Sequence, residues 1–228
     1  MKPSTPAPLL KQQLAEKLRA AIVRGRLLPG QRVVEGAWAR EFGAAQASVR
    51  EAINLLAANG FLVKSAGRSA RVPLYTAEDI VRIYQVRGAL EGLAARLAAA
   101  RRANLAPLEA ALEAMSNAAA RGDVKRLVEH DLAFHLALAE ASANPLLIDM
   151  LGRLLRPLFT FVLLRMMETR ETTRNWQPDL PRHHQMIHLI RESDPSIAAQ
   201  FVEHCVGSFA SSAHAVWTPK QSPRGRKK

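Results

Sequence analysis

The stretch "AAQASVREAINLLAANGFLV", residues 44–63, determines the fold expected for the first third of the chain. Apolar residues recur along it at helical spacing as far as Gly60, which is a typical helix end. The preceding segment "EGAWAREF" has helical spacing too, and Gly43 separates the two segments. Two short helices joined by a tight turn that contains glycine form a helix-turn-helix. The second of them is therefore predicted to be a DNA-recognition helix.

The flanking residues complete a winged helix. Upstream, a leucine-rich segment with apolar residues at every fourth position predicts a first helix that ends at "RGRLLPG". Downstream, "FLVKSAGRSARVPL" predicts a β-hairpin around the turn "SAGRS". The residues predicted to contact DNA lie at the start of the recognition helix and on the hairpin; they are Gln46, Ala47, Ser48, Arg50, Lys64 and Arg68. For Arg50, the alternative is an ion pair with a neighbouring carboxylate on the helix surface.

The charge of the chain is unevenly distributed. Its formal net charge is +12, of which residues 1–74 carry +8, residues 75–215 carry −1 and residues 216–228 carry +5. A basic segment of this kind favours a polyanionic partner, most simply double-stranded DNA. The tail 216–228 is predicted to be a basic disordered segment that follows the two domains.

The composition narrows the setting in which the protein works. No apolar run approaches the roughly 20 residues that cross a bilayer, and the amino terminus lacks the apolar stretch of a secretory signal. The single cysteine, Cys205, has no partner for an internal disulfide, which fits a reducing compartment. We therefore expect a cytoplasmic protein with no membrane partner.

Residues 75–215 are predicted to form an all-α helical bundle. Strand signals end near Pro73, and long Ala- and Leu-rich amphipathic segments follow. Thr76 is expected to cap the first of these helices, with Glu78 and Asp79 in its first turn, and Asn144 is expected to cap a later one. The predicted fold class is mainly α, with a winged helix-turn-helix over residues 1–74 and the helical domain over residues 75–215.

An aspartate and a histidine interrupt an otherwise apolar helix face in this domain. In "EHDLAFHLALAE", residues 129–140, Asp131 and His135 share the buried face with Phe134 and Leu138. A lone buried carboxylate costs several kcal/mol unless it is paired or bound to a cation. A hydrogen bond between Asp131 and His135 would meet this requirement, and so would a metal ion.

Two later helices supply further candidate ligands. In "RHHQMIHLIRESD" the apolar spacing directs His183 inward, whereas His184 and His188 fall off that face. In "IAAQFVEHCVGSF" the same reasoning favours His204, with Cys205 as the alternative. By spacing, Asp131, His135, His183 and His204 are thus candidate donors to one ion, with the hydrogen bond between Asp131 and His135 as the alternative. Such donors suit Zn²⁺, Ni²⁺, Mn²⁺ or Fe²⁺.

Both halves of the chain resemble one bacterial family. The frame "LRAAIVRGRLLPGQRVVE…WAREFG…VREAINLLAANGFLV" resembles the DNA-binding domain of GntR-type transcription regulators, over residues 9–73. The segments "IYQVRGALEGLAARLAA" and "HDLAFHLALAEASANPLL" resemble the FCD ligand-binding domain of the FadR branch, over residues 76–212. The family usually has Ser-Arg-Thr-Pro before the DNA-contacting arginine, where this chain has "AQAS". A Gln at position 46 pairs with adenine rather than guanine, so the operator is expected to differ from the family norm.

The resemblance implies a homodimeric regulator, in the first instance a repressor, that binds a palindromic operator. In the family, an aspartate, the histidine four residues later and two further histidines hold a divalent metal that accepts a small effector, often a carboxylate. The resemblance places these ligands at Asp131, His135, His183 and His204, with Cys205 as the alternative for the last. Arg87 is a candidate to hold that anion, or else it pairs with Glu91 at i+4. Two other functions fit the same ligands: a metal-dependent hydrolase or lyase, and a regulator that senses the metal ion itself. The basic winged helix argues against the enzyme.

Overall fold

The computed structural model describes residues 9–64, 69–169 and 179–217. The chain divides into two compact units, Met1–Leu74 and Tyr75–Lys228. Nine helices lie in the described residues: α1 Leu10–Val23, α2 Glu35–Phe42, α3 Gln46–Ala58, α4 Ala77–Ala100, α5 Ala106–Ala120, α6 Val124–Ala141, α7 Pro145–Thr169, α8 Leu180–Glu192 and α9 Pro195–Trp217. None of these described helices is both long and apolar enough to span a membrane.

The first unit packs α1, α2 and α3 around a small core. Its centre consists of fully buried aliphatic side chains, among them Leu14, Leu18, Ile22, Val49 and Ile53. Gly43 ends α2 in the left-handed conformation, with φ of 61°, which fulfils the predicted break between the two helices. The helix-turn-helix is therefore formed by α2 and α3.

The predicted hairpin appears as isolated β-bridges rather than as continuous strands in the described residues. Val63 and Arg71 pair antiparallel through two N–H···O hydrogen bonds of 2.8 and 3.0 Å. Arg71 also bridges to Arg32, which attaches this pair to the segment before α2. Residues 65–68 of the predicted turn lie outside the described residues, and with them the predicted DNA contact Arg68.

The second unit is a bundle of the six helices α4 to α9. Thr76 caps α4 in a capping box with Asp79, and Asn144 accepts hydrogen bonds from the first turn of α7, both as predicted. The buried face of α6 holds the stripe expected from its spacing: Leu127, Asp131, Phe134, His135 and Leu138. Residues from α4, α6 and α8 meet in the core of this bundle and form the site described below.

Helices α4 and α9 approach closely because two glycines of α4 face the α9 backbone. A Cβ on Gly92 would lie 3.0 Å from the carbonyl oxygen of Ala199, and a Cβ on Gly88 would lie 3.2 Å from that of Glu203. A methyl group at either position has to push against backbone atoms. The spacing of the two helices therefore depends on the absence of side chains at positions 88 and 92.

We expect Gly92→Ala to lower the free energy of unfolding by about 1–3 kcal/mol, the usual cost of overpacking a core. Gly207→Ala in α9 is the matched control, because its added Cβ meets no atom within 4 Å. That control is expected to be neutral or to stabilise by up to about 1 kcal/mol through helix propensity. Urea denaturation of the full chain measures both variants. Equal stability of the two would contradict the close-packing explanation.

Candidate functional site

The start of α3 carries four of the predicted DNA contacts. Gln46, Ala47 and Arg50 are exposed, and Ser48 is half-buried. The opposite face of α3, with Val49, Ala52, Ile53 and Leu56, is buried against the first unit's core. The amphipathic pattern therefore presents the polar end of α3 to solvent, as a recognition helix requires.

Two of the basic candidates already have partners within the protein. Arg50 Nε donates to Glu35 Oε2 at 2.9 Å, so the ion pair considered as the alternative is present. Lys64 Nζ donates to Asn54 Oδ1 at 2.7 Å. The side chain of Arg50 is 58% exposed, and exposed pairs of this kind contribute only about 0–1 kcal/mol. A phosphate or a guanine could thus replace Glu35 at little energetic cost.

A buried cluster of three potential metal ligands lies where α6 meets α8. Asp131, His135 and His183 each offer one ligand atom, and these atoms lie within 4.8 Å of one another. The Nε2 atoms of both histidines are 3.2 Å from Asp131 Oδ1. All three side chains are buried. Three of the four predicted ligands therefore converge.

The second nitrogen of each ring is held by another group. Nδ1 of His183 lies 2.8 Å from the main-chain oxygen of Asp179, one turn earlier, so this nitrogen carries the proton and donates it. Nδ1 of His135 lies 2.5 Å from Glu91 Oε2 on α4. Contacts of this type fix the ring orientation and leave Nε2 directed at the cluster, as in metal sites where an outer group orients each histidine.

The centre of the cluster has unpartnered buried atoms. Asp131 Oδ1 and His183 Nε2 are buried and have no hydrogen-bond partner among the described residues. When Nδ1 of His183 carries the proton, its Nε2 is a lone pair that faces a carboxylate oxygen across 3.2 Å. Two acceptors that face each other require a cation or a proton between them. One carboxylate and two imidazoles are donors that suit Zn²⁺, Ni²⁺, Mn²⁺ and Fe²⁺, so the residues fit the predicted metal.

Two opposing effects set the pKa values in this cluster: burial disfavours the charged forms, and neighbouring groups of opposite charge favour them. Burial alone would raise the pKa of Asp131, but the contacts with His135 and His183 outweigh it and hold the pKa well below its ordinary value. Burial would lower the pKa of His135, yet the carboxylate of Glu91 raises it above the ordinary value. Asp131 is therefore anionic at neutral pH, and Nδ1 of His135 keeps its proton.

Arg87 and Glu91 extend this cluster into α4. Arg87 Nε donates to Glu91 Oε1 at 2.5 Å, and the side chains are 3% and 0% exposed. Burial opposes ionisation of Glu91, but Arg87 and His135 together hold the pKa of its carboxyl below the ordinary value. The guanidinium also lies over the rings of Tyr84 and Phe159, 5.1 and 5.0 Å from their centroids. Of the two roles predicted for Arg87, the structure thus shows the ion pair with Glu91.

The prediction of His204 as the fourth ligand assumes that this residue faces inward on α9, and that assumption is wrong. His204 is exposed on α9, and its neighbour Ile197 on the same face is 54% exposed. The face of α9 that packs inward consists of Ala198, Val202, Cys205 and Val206. Cys205 is buried, and burial raises the pKa of its thiol above the ordinary value. Among the described residues, only Asp131, His135 and His183 form a cluster of ligand atoms within 4.8 Å.

Sequence reasoning missed two members of this site. The spacing on α4 predicts Glu91 only as a partner of Arg87, whereas in the structure its second oxygen contacts His135, 44 residues further along the chain. The main-chain oxygen of Asp179 could not be found from side-chain patterns at all. The sequence offers one signal for Glu91. Arg87 and Glu91 are charged residues at i and i+4 on the inward face of α4, and this pattern indicates a further buried polar group nearby.

Comparisons with known families cover most of the chain. Residues 10–72 match "Bacterial regulatory proteins, gntR family", and residues 82–208 match "FCD domain". The "Probable D-xylose utilization operon transcriptional repressor" of Paenarthrobacter nicotinovorans is 27% identical over 224 residues, which covers 93% of this chain and 94% of that protein. The HTH-type transcriptional regulator LutR of Bacillus subtilis (strain 168) is 33% identical over 168 residues, or 66% of this chain and 74% of LutR.

Solved structures share the fold. Escherichia coli McbR/YncC superposes with a TM-score of 0.72 at 22% identity, covering 92% of this chain and 98% of that chain. A GntR transcriptional regulator from Rhodococcus sp. RHA1 has a TM-score of 0.70 at 23% identity, covering 89% and 96%. The matched domains and relatives are those of a DNA-binding transcriptional regulator and not of an enzyme. The chain belongs to the GntR family of bacterial transcriptional regulators and combines its winged helix-turn-helix with an FCD domain.

Proposed function

We propose that this regulator is a cytoplasmic repressor whose operator affinity is controlled by a small carboxylate bound at a metal ion in the helical unit. The observation that carries this proposal is the buried trio Asp131, His135 and His183, with unpartnered acceptor atoms directed at one another. In a chain with a GntR-type DNA-binding domain, such a trio has no catalytic task to perform. A sensing role is the function that accounts for both units.

The DNA-binding half of the proposal rests on α3 and the wing. Gln46, Ala47, Ser48 and Arg50 would contact base edges in the major groove, with Lys64 and Arg68 on the neighbouring backbone. One α3 helix reads only a half-site, so we propose a homodimer on a palindromic operator. Repression is favoured by the name of the relative from Paenarthrobacter nicotinovorans, a transcriptional repressor similar over nearly its whole length.

Arg50→Ala is expected to weaken binding to a selected operator duplex about 5- to 150-fold, which corresponds to the 1–3 kcal/mol of one good base contact. Arg19→Ala is the matched control, because Arg19 is also an exposed arginine in a surface ion pair, here with Glu16 on α1. It removes the same charge and should change affinity much less. Fluorescence anisotropy at fixed salt, with duplexes selected from a random library, measures both variants. Equal losses would show that Arg50 contributes charge only.

In the sensing half, Asp131, His135 and His183 would hold the ion. The bound metal supplies a positive centre with open coordination positions for an anionic effector. Glu91 and the main-chain oxygen of Asp179 orient the two imidazoles, and the aromatic rings of Phe134 and Phe159 exclude water from their neighbourhood. A direct contact between Arg87 and the effector remains a prediction, since Glu91 already engages its Nε.

A regulator that senses the metal itself is the second candidate, because the same trio would serve it. A titration separates the two. Metal-stripped protein is titrated onto the operator duplex with Zn²⁺ or Mn²⁺ alone, and then with a panel of small organic acids at saturating metal. Effector control predicts that operator affinity changes only when metal and acid are both present, and that EDTA abolishes the change. A full response to metal alone would establish the metal sensor, and no response to any combination would contradict both.

A further inference from the structure

We propose that a second transition-metal site, distinct from the buried trio, lies in the surface groove between α5 and α8. The donors are the imidazoles of His184 and His188 on α8, with the carboxylate of Glu113 on α5 as a third donor. The groove has a volume of about 480 Å³, and all three residues line it. This site goes beyond the proposed sensing function and does not depend on it.

The first argument is the spacing of the two histidines. His184 and His188 are four residues apart on α8, which places their side chains one turn apart on one face of the helix. Two imidazoles at i and i+4 on one helix face can ligate the same ion, as the paired histidines of zinc-binding helices do. Both side chains are exposed, so their nitrogens are accessible to an ion from solvent.

The second argument is the chemistry of the opposite wall. Glu109 and Glu113 on α5 face the histidines across the groove, again at i and i+4. Glu109 is engaged by Arg191, whose Nη2 donates to it at 2.6 Å, and this pair neutralises the one arginine that lines the groove. Glu113 has no cationic partner among the described residues. Its carboxylate therefore remains available, and two imidazoles with one carboxylate suit Zn²⁺, Ni²⁺ or Cu²⁺.

The two sites differ in how far their ligand atoms are already in position for a metal ion. The atoms of the buried trio already lie within 4.8 Å of one another, whereas the groove residues are exposed side chains that close on an ion by rotation. A rotatable, solvent-exposed site is expected to bind more weakly than a preformed one. Helix α8 contributes to both sites, since His183 is buried in the bundle and His184 lines the groove. A metal in the groove would attach α8 to α5.

Calorimetric titration of the untagged, EDTA-stripped full chain with Zn²⁺ tests this site. We expect the wild type to bind a tighter and a weaker equivalent, and His184→Ala/His188→Ala to lose only the weaker one. Asp131→Asn should lose only the tighter one, so failure of the buried site and failure of the groove site are distinguishable. The matched control is His130→Ala/His204→Ala, which removes two histidines that do not share a helix and should keep both equivalents.

Thermal unfolding without metal confirms that the variants are folded, which is expected because His184 and His188 are on the surface. Glu113→Gln should weaken the second equivalent measurably while leaving the first unchanged. Retention of the weaker equivalent in His184→Ala/His188→Ala would overturn the proposal. Its loss in the His130→Ala/His204→Ala control would do so as well, because it would show nonspecific histidine binding.

Discussion

Asp131→Asn is expected to weaken metal binding by more than about 100-fold. Losing an outer residue that orients a ligand costs about 10- to 100-fold, and Asp131 is itself the anionic ligand at the centre of the cluster. The substitution keeps the side-chain shape but replaces a charged oxygen, 3.2 Å from both Nε2 atoms, with a neutral amide. Competition with a chromophoric chelator measures the affinity of the tighter equivalent.

Asp149→Asn provides the matched control for this prediction. Asp149 is an exposed aspartate on α7 that pairs with Arg153 at 3.0 Å, outside the cluster. It should bind metal like the wild type. A second readout is the rise in melting temperature on adding metal, which follows from binding to the folded state only. In Asp131→Asn this rise should shrink to the part that the weaker equivalent supplies. Unchanged chelator competition in Asp131→Asn would exclude the trio as the metal site.

Arg87→Met is expected to lower the free energy of unfolding of the metal-free protein by about 3 kcal/mol, the lower end of the range for breaking a buried ion pair. The variant leaves the Glu91 carboxylate fully buried without its guanidinium, and His135 compensates for only part of that loss. Urea denaturation at neutral pH in EDTA measures the change. Arg82→Met, on the same helix, is the control, because Arg82 is an exposed residue paired with Glu78 and Asp79. Its effect should stay within about 0.5 kcal/mol.

The destabilisation by Arg87→Met should diminish in acid. In the wild type the pKa of Glu91 is lowered, so its stabilising contribution is present above the unfolded-state pKa and is lost as the pH falls through the folded-state value. Without Arg87 the buried carboxyl takes up a proton at higher pH, which removes the uncompensated charge. A constant difference between the two proteins from pH 7 down to acid unfolding would argue against this explanation.

The parts of the fold that depend on local pattern could be predicted from the sequence. Helix ends of this kind depend only on residues close by in the chain. They include the end of α2 at Gly43 and the N-caps at Thr76 and Asn144. The inward placement of Asp131 and His135 could be predicted because the apolar residues of α6 lie on one side of the helix, so that only one face can be buried.

The phase of α9 could not be predicted in the same way. Ile197 and Phe201 are its most apolar residues on one side, yet Ile197 is exposed, and the small residues Ala198 and Val202 face inward. Packing against α4 determines which face of α9 is buried, because Gly88 and Gly92 allow the α9 backbone to approach α4 closely. The apolar spacing within one helix cannot predict a contact with another helix more than a hundred residues away in the chain. For the same reason, neither the contact of Glu91 with His135 nor the exposed position of His204 can be derived from the sequence.

The line of side chains from Arg87 through Glu91, His135 and Asp131 to His183 alternates basic and acidic groups within the bundle core. A dication at the Asp131 end of this line would require Nε2 of His135 to be free of hydrogen, because a metal ligand must offer a lone pair. Under the proposed function, any proton on that nitrogen would leave as the ion binds, and the measured heat of binding would then depend on the ionisation enthalpy of the buffer. The affinity of the proposed site for metal would accordingly fall as the medium becomes more acidic.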